Sequence, residues 1–228
     1  MDKKFDTGLV WLRRDLRTHD HAARYHALRA CKRVHVAFVL DTDILDALPR
    51  ADRRVEFILA ALQEVDADLR RLAGQAEAGL IVRHGSARGE LPALARALHA
   101  QAVFANHDDE PFGHDRDAKV RGALADAGIA LLTSKDQAVF ERSEVLTQAG
   151  APYSVFTPYK RAWLAKLDAF YLSSYPVEKH AAALVARPEG ERRPIPSLAD
   201  IGFEPTNLHE LKIPLGASGG QQLFEEFF

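Results

Sequence analysis

Several features that mark large protein classes are missing from this sequence of 228 residues. Cys31 is the only cysteine, so no disulfide can form within the chain, and this suits a reducing compartment. No apolar run is long enough to span a membrane, and the opening segment Met1–Asp6 lacks the apolar core of a secretory signal. We therefore expect a cytoplasmic protein with no membrane partner.

Charge and motif content exclude further classes. The formal net charge of −2 shows no general excess of cations, so any contact with nucleic acid has to be local. Neither G-x-G-x-x-G after the first strand, nor a phosphate-binding G-x-x-x-x-G-K-S/T, nor a nucleophile elbow occurs. The ten histidines and one cysteine have no zinc-ligand spacing, and His19, His21 and His26 are expected to face solvent. No metal site and no catalytic residue are predicted in this chain.

What the sequence does contain is an alternation of short apolar runs with segments of helical periodicity. The predicted strands are Gly8–Leu12, Val34–Leu40, Leu80–Arg83, Ala102–Ala105 and Ile129–Leu132. The predicted helices run from His21 to about Cys31, Val55 to Leu72, about Gly89 to Ala100, and about Asp115 to Ala127. This alternation predicts an α/β fold: a doubly wound five-stranded parallel sheet, order 3-2-1-4-5, with helices on both faces and an irregular linker after it.

Three residues are assigned to helix starts. Asp20 is expected to cap the first helix and Asp115 the fourth, because a short carboxylate side chain accepts the free amide hydrogens of a first turn. Pro92 is expected within the first turn of the third helix, where the N–H that proline lacks is not needed.

The pattern weakens after the fifth strand and divides the chain into three predicted parts. Residues 1–135 form the α/β domain, residues 136–215 a connection with one helix near 158–170, and residues 216–228 the start of a further helix. Pro176–Pro214 lacks a period, so it is interpreted as a linker or as a long loop packed on another element. The last helix start carries Leu223, Phe224, Phe227 and Phe228. Such apolar side chains need cover, so we expect the chain to be the front part of a longer protein.

The carboxyl ends of the first and fourth strands carry the two most charged loops of the chain. These loops are Arg13–Thr18 and Asn106–His114. In the predicted strand order the winding of the sheet reverses between these two strands. Because ligands of open α/β sheets bind at such a point, the two loops mark the candidate site.

Within these loops, the negative charges of two acidic residues have to be balanced by cations. Asp108 and Glu110 are like charges that repel each other unless a cation lies nearby, and Arg13 and Arg54 are the candidate cations. The residues themselves leave two interpretations open. One is a structural ion-pair cluster, and the other is the polar rim of a site for a small aromatic ligand.

Three segments resemble the photolyase/cryptochrome family. Trp11–Asp20, which reads WLRRDLRTHD, is similar to the opening of that family. Asn106–Asp117 resembles a loop of class I photolyases that carry a deazaflavin antenna, and Pro152–Trp163 resembles a PYxVFTPFxxxW segment of the family. The resemblance implies the amino-terminal antenna-binding domain of a class I deoxyribodipyrimidine photolyase.

The resemblance also implies a cofactor and its contacts. Arg54, Asp108 and Glu110 match the family positions that contact the antenna, and Arg13 is placed with them as a further contact. A deazaflavin is favoured over FMN or a methenyl folate as the antenna chromophore. Folate-binding members carry an Asn-Glu pair and a histidine at positions that are occupied here by Phe112, Gly113 and, in a loose alignment, Leu48.

For the whole protein, the resemblance implies repair of cyclobutane pyrimidine dimers in damaged DNA with light and reduced FAD. FAD belongs to the helical domain of the family, and the resemblance implies that residues 216–228 are the start of that domain. No FAD contact is therefore assigned to a residue here, and the chain alone is expected to be inactive. A cryptochrome-type blue-light photoreceptor shares this domain and is the alternative. A stand-alone nucleotide-binding α/β module is a third possibility, but it predicts a closed carboxyl terminus, which the apolar Leu223–Phe228 contradict.

Overall fold

One sheet of five parallel strands organises the molecule, in the order β3-β2-β1-β4-β5, which confirms the predicted fold class. The computed structural model describes residues 3–228, so Met1 and Asp2 of the predicted 1–135 domain and opening segment lie outside the described residues. The strands are β1 (Phe5–Leu12), β2 (Cys31–Asp41), β3 (Leu80–Gly85), β4 (Ala102–Asn106) and β5 (Ala130–Ser134). Because every neighbouring pair is parallel, all five carboxyl ends lie at the same edge of the sheet.

Helices cover both faces of the sheet. The helices of the α/β region are α1 (Ala22–Ala30), α2 (Thr42–Leu45), α3 (Arg53–Ala73), α4 (Ala87–Ala97) and α5 (Pro111–Ala125). Val10 and Leu12 of β1 join the apolar cluster under α1 and α3, whereas Leu9 and Trp11 join the cluster under α4 and α5. Successive strand side chains point to opposite faces, so a strand covered on both sides reads as one continuous apolar run.

The cap predicted for the first helix is wrong. His21, not Asp20, precedes α1, and its Nδ1 accepts the Arg24 N–H at 3.1 Å. Asp20 has a φ of 42°, and its carboxylate accepts the N–H of Tyr175 at 2.7 Å. The aspartate therefore holds a distant segment of the chain, which no local sequence pattern reveals.

Two further helix starts lie earlier than predicted. α5 begins at Pro111 after Glu110, so Asp115 lies inside the helix and does not cap it. α4 begins at Ala87, which places Pro92 beyond the first turn, where its missing N–H breaks a helical hydrogen bond. Pro92 is buried there. Its apolar contacts offset part of the cost of that lost bond.

The segment after β5 contains little regular structure, but part of it belongs to the core. Short 3-10 turns lie at Val177–Ala183, Glu189–Glu191, Ala199–Ile201 and Leu208–Leu211. Val177, Leu184, Ile201 and Phe203 are buried in the same apolar cluster as α1 and α3. Of the two interpretations of Pro176–Pro214, the structure therefore shows the packed loop.

Two helices of this region remain exposed. α6 (Phe156–Lys166) has no buried residue and begins slightly earlier than the predicted helix near 158–170. α7 (Gly216–Phe227) contacts α3, where the Ser218 N–H donates to Glu64 Oε1 at 2.8 Å. Within residues 3–228, no helix combines the length and the hydropathy that crossing a bilayer requires.

Candidate functional site

A cavity of about 760 Å³ opens at the carboxyl ends of β1, β2 and β4. The four residues proposed from the sequence all line it: Arg13, Arg54, Asp108 and Glu110. They arrive from three elements, namely the loop after β1, the start of α3 and the loop after β4. The winding of the sheet reverses between β1 and β4, which is the position expected for a ligand site in this architecture.

The wall of the cavity is apolar over a large part of its surface. Phe38 and Leu40 from the end of β2 line it, and so does Leu48 from the loop after α2. Val55 and Ile58 from the first turns of α3 extend this wall. An apolar wall with a few charged groups at one side is the usual composition of a site for an aromatic ligand.

Trp11 provides a rigid surface beneath the charged side. Its ring is buried, and the guanidinium carbons of Arg13 and Arg116 lie 4.7 Å and 4.9 Å from the ring centre. Both arginines bind Asp117, Arg13 through Nη1 at 2.7 Å from Oδ1 and Arg116 through Nη2 at 3.0 Å. Cation–π contacts and shared ion pairs fix both guanidinium groups in place.

The cations that compensate the two acids are not the predicted ones. Asp108, which is 7% exposed, binds Arg116 Nη2 at 3.0 Å, and Arg14 Nε lies 4.0 Å from its other oxygen. Glu110 pairs with Arg14, and this hydrogen bond raises the pKa of the arginine. The structure therefore shows the ion-pair cluster, and the paired acids also line the cavity.

The two predicted cations bind acids other than Asp108 and Glu110: Arg13 binds Asp117, and Arg54 binds Asp52. Arg54 forks onto Asp52, the residue before α3, with Nε and Nη2 at 3.0 Å and 2.6 Å from the two carboxylate oxygens. This hydrogen bond lowers the pKa of Asp52. The Arg54 side chain is 70% exposed at the mouth of the cavity. The Arg54 side chain is thus held by Asp52, a neighbour two residues before it, and the family resemblance did not predict this pairing.

Behind the cavity, a buried network ties the end of β1 to the end of β4. Asp15 Oδ2 lies 2.9 Å from His21 Nε2 and 2.6 Å from Asn106 Nδ2. Because Nδ1 of His21 accepts the backbone N–H of Arg24, Nε2 carries the proton that binds Asp15. Burial alone would raise the pKa of Asp15. Its hydrogen bonds with the His21 ring, the Arg13 backbone N–H and the Asn106 side chain nevertheless lower this pKa strongly.

This network corrects one expectation about the histidines. His19 and His26 are exposed, but His21 is fully buried. The sequence signal was available, since a histidine directly before a helix can accept an N–H of the first turn. Arg14 was missed as a site residue because its partners lie in a loop that is distant in sequence, and Arg116 because the direction of its side chain from α5 toward Asp108 leaves no sequence signal. Within residues 3–228, no group of three or more metal-ligating side chains is present.

Comparison with known proteins gives consistent matches. A family model described as DNA photolyase matches residues 8–183. The chain is 36% identical over 158 residues to a deoxyribodipyrimidine photo-lyase of Synechococcus, covering 69% of this chain and 32% of the relative. It is 35% identical over 230 residues to a deoxyribodipyrimidine photo-lyase of Halobacterium salinarum, covering 96% of this chain and 45% of the relative. The chain therefore spans less than half the length of these two relatives.

Solved structures include the same architecture. An archaeal photolyase from Sulfolobus tokodaii, described with two FAD molecules and an implied novel light-harvesting cofactor, aligns with a TM-score of 0.58. Its sequence identity is 26%, and the match covers 71% of this chain and 35% of that one.

Proposed function

The chain belongs to the DNA photolyase family, and on that premise we propose that it is the light-harvesting antenna domain of a class I deoxyribodipyrimidine photolyase. The observation that carries the proposal is the cavity at the carboxyl ends of β1, β2 and β4. Its volume of about 760 Å³ suits a planar ring system of several fused rings. We also propose the three parts predicted from the sequence: an α/β domain over residues 1–135, a connection over residues 136–215, and the start of a helical FAD domain at residues 216–228.

The residues around the cavity suit a planar chromophore with a polar edge. Phe38, Leu40 and Ile58 offer apolar contacts to ring faces, and Trp11 is held rigid beside the charged loops. Arg13, Arg54, Asp108 and Glu110 would supply the polar contacts. When bound, such a chromophore supplies absorption of light and transfer of the excitation to FAD.

A deazaflavin is the chromophore we favour, followed by FMN and then a methenyl folate. Phe112 and Leu48 both line the cavity at positions where folate-binding members carry polar residues, so a folate would find fewer hydrogen bonds. The Sulfolobus tokodaii photolyase is described with two FAD molecules and an implied novel light-harvesting cofactor, which supports a flavin-like ring system as the antenna.

The activity of the whole protein would be repair of cyclobutane pyrimidine dimers in damaged DNA with light and reduced FAD. The damaged bases have to leave the base stack for this chemistry. No residue of this chain is assigned to FAD or to catalysis, so we expect residues 1–228 alone to leave dimers unrepaired under light. A cryptochrome-type photoreceptor is the alternative, and dimer repair by the longer protein would separate the two.

Titration of the purified chain tests the antenna proposal. The two tryptophans are Trp11 in the cavity wall and Trp163 in α6, so the Trp163→Phe variant leaves Trp11 as the only tryptophan. We expect a deazaflavin to bind more tightly than FMN or a methenyl folate, and to quench Trp11 emission with the same dissociation constant as its absorbance change. Absorbance changes without quenching would place the ligand elsewhere, and no binding of any of the three would contradict the proposal.

A further inference from the structure

Trp11 is the side chain of the cavity wall that gives up an electron most readily. Its ring is 2% exposed and forms part of that wall. Among residues 3–228, no tyrosine, cysteine, methionine or histidine lines the cavity, and the other aromatic side chains in the wall, Phe38 and Phe112, are hard to oxidise. An indole ring beside a chromophore that absorbs light therefore calls for an explanation.

A readily oxidised ring at this place can quench a light-harvesting chromophore. The excited state of a flavin-like ring system is a strong oxidant, so one electron can pass to it from a nearby indole. The indole is oxidised to a radical cation and the chromophore is reduced by one electron. Return of the electron restores both rings and releases the excitation as heat, and no bond forms or breaks. Electron transfer needs proximity rather than an open contact surface, so the burial of Trp11 does not prevent it.

Two cations next to the ring oppose this step. The guanidinium carbons of Arg13 and Arg116 lie 4.7 Å and 4.9 Å from the centre of the Trp11 ring. An indole that loses an electron becomes positive, so each guanidinium group attracts the neutral ring and repels the oxidised one. Asp117 binds both arginines and Asp108 binds Arg116. These carboxylates reduce the repulsion, but they also hold both cations against the ring.

We propose that Arg13 and Arg116 make Trp11 harder to oxidise, so that the excited chromophore keeps its excitation for transfer instead of losing it to the cavity wall. This inference rests on the proposed function of the cavity. Both arginines act through the ring of Trp11, and neither has to touch the chromophore for this role. The ligand that needs such protection is one whose excited state oxidises indole, and flavins and deazaflavins belong to this class.

The fluorescence lifetime of the bound chromophore measures the loss of excitation directly. The purified chain is saturated with 8-hydroxy-5-deazariboflavin, or with FMN, and the chromophore alone is excited. Saturation keeps a change in affinity from entering the result. The lifetime is compared among the unchanged chain, Trp11→Phe, Arg13→Met and the double variant that carries both changes. Arg13→Met takes one cation from the ring, while Arg116 still binds Asp117 at 3.0 Å.

Arg88→Met is the matched control, because it removes a cation near the cavity that does not lie over Trp11. The guanidinium carbon of Arg88 lies 6.0 Å from the centre of the Phe112 ring, and Arg88 does not line the cavity. Its replacement should leave the lifetime unchanged. A lifetime shortened as much as in Arg13→Met would show a general effect of charge and would overturn the inference.

We expect the unchanged chain and Trp11→Phe to give the same lifetime, because a protected indole takes no part in the decay. Arg13→Met is expected to shorten the lifetime by about fivefold or more, since a unit charge 4.7 Å from the ring centre changes the free energy of oxidation by more than the thermal energy even at a protein surface. The double variant is expected to restore the lifetime, which assigns the loss to Trp11.

Three results would overturn the inference and leave the proposed function standing. They are a longer lifetime in Trp11→Phe than in the unchanged chain, an unchanged lifetime in Arg13→Met, and a short lifetime that persists in the double variant. Binding of neither probe by the unchanged chain would overturn the proposed function together with the inference.

Discussion

Gly113 lies against the carboxylate of Asp108, so closely that a Cβ atom at position 113 would come within 2.4 Å of the Asp108 Cγ. This contact exists because α5 begins at Pro111, and its first turn passes beneath the loop that carries Asp108. The glycine that the sequence shows inside the charged loop therefore makes room for a site residue.

Gly113→Ala is expected to displace Asp108 and to weaken its bond with Arg116. The added methyl group has no free space, and overpacking of this kind costs about 1–3 kcal/mol of unfolding free energy. Urea denaturation and chromophore titration should both show the loss. Gly122→Ala in the same helix is the control, because nothing lies within 4 Å of a Cβ there and alanine favours a helix by about 1 kcal/mol. A stable Gly113→Ala with unchanged affinity would contradict the contact.

The two acids of the β4 loop should contribute unequally to chromophore binding. Asp108 is 7% exposed and bound to a buried arginine, whereas the Glu110 side chain is 58% exposed. We expect Asp108→Ala to weaken the favoured chromophore by about 1–3 kcal/mol, and Glu110→Ala by less, since water screens an exposed pair.

Asp109→Ala is the control for that comparison. Asp109 is exposed and pairs with Arg142, with 2.9 Å between Oδ1 and Nη2, and it does not line the cavity. Its replacement should leave the dissociation constant unchanged. If Asp108→Ala binds as tightly as Asp109→Ala, then the acids form only a structural ion cluster.

The sequence predicted the strand order and the sheet edge at which a cavity opens, but not the ion-pair partners of the residues that line this cavity. Apolar runs and right-handed crossovers restrict a sheet to few arrangements, so β1 and β4 could be placed side by side. Arg116, which replaced the predicted Arg13 and Arg54 as the partner of Asp108, lies only eight residues after it in α5, but which way its side chain points is not set by any periodic pattern. Arg14, which pairs with Glu110, comes from a loop that is distant in sequence, and such long-range pairs leave no periodic signal either.

Because of the buried network around Asp15 behind the cavity, the free energy of unfolding should fall at acid pH. The pKa of Asp15 is lowered in the folded chain, so its contribution is present above the ordinary pKa of an aspartate and is lost as the pH falls through the lowered value. Asp15→Asn should therefore lower the free energy of unfolding at neutral pH by about 1–3 kcal/mol.

The difference between Asp15→Asn and the unchanged chain should shrink as the pH is taken below 4, because the protonated aspartate also loses the hydrogen bonds that its negative charge accepts. Urea unfolding at neutral and acidic pH measures this. Asp46→Asn is a suitable control, because the Asp46 side chain is exposed and makes no hydrogen bond or ion pair within residues 3–228. A difference for Asp15→Asn that is equal at both pH values would exclude the network as its source.

Arg187 should hold the loop after β5 to the sheet. Its side chain is 3% exposed, and Nη1 donates to the carbonyl oxygens of Leu80 at 3.0 Å and Arg193 at 3.1 Å. Its own N–H donates to the Glu77 carbonyl at 3.0 Å. Removal of the guanidinium group leaves buried carbonyl oxygens without donors, which destabilises the docked loop by about 1–3 kcal/mol.

Hydrogen exchange separates this docking from a loosely attached linker. We expect the amides of Val185 and Arg187 to be protected, and the amides of α6, which has no buried residue, to exchange faster. Arg187→Met keeps most of the apolar stem and should raise the exchange rate of both amides while strands β1 and β4 keep theirs. Arg193→Met is the matched control, since the Arg193 side chain is exposed and makes no hydrogen bond or ion pair within residues 3–228. If the amides of Val185 and Arg187 in the unchanged chain exchange as fast as the amides of α6, the segment is a linker. A docked backbone opens less often than an exposed helix.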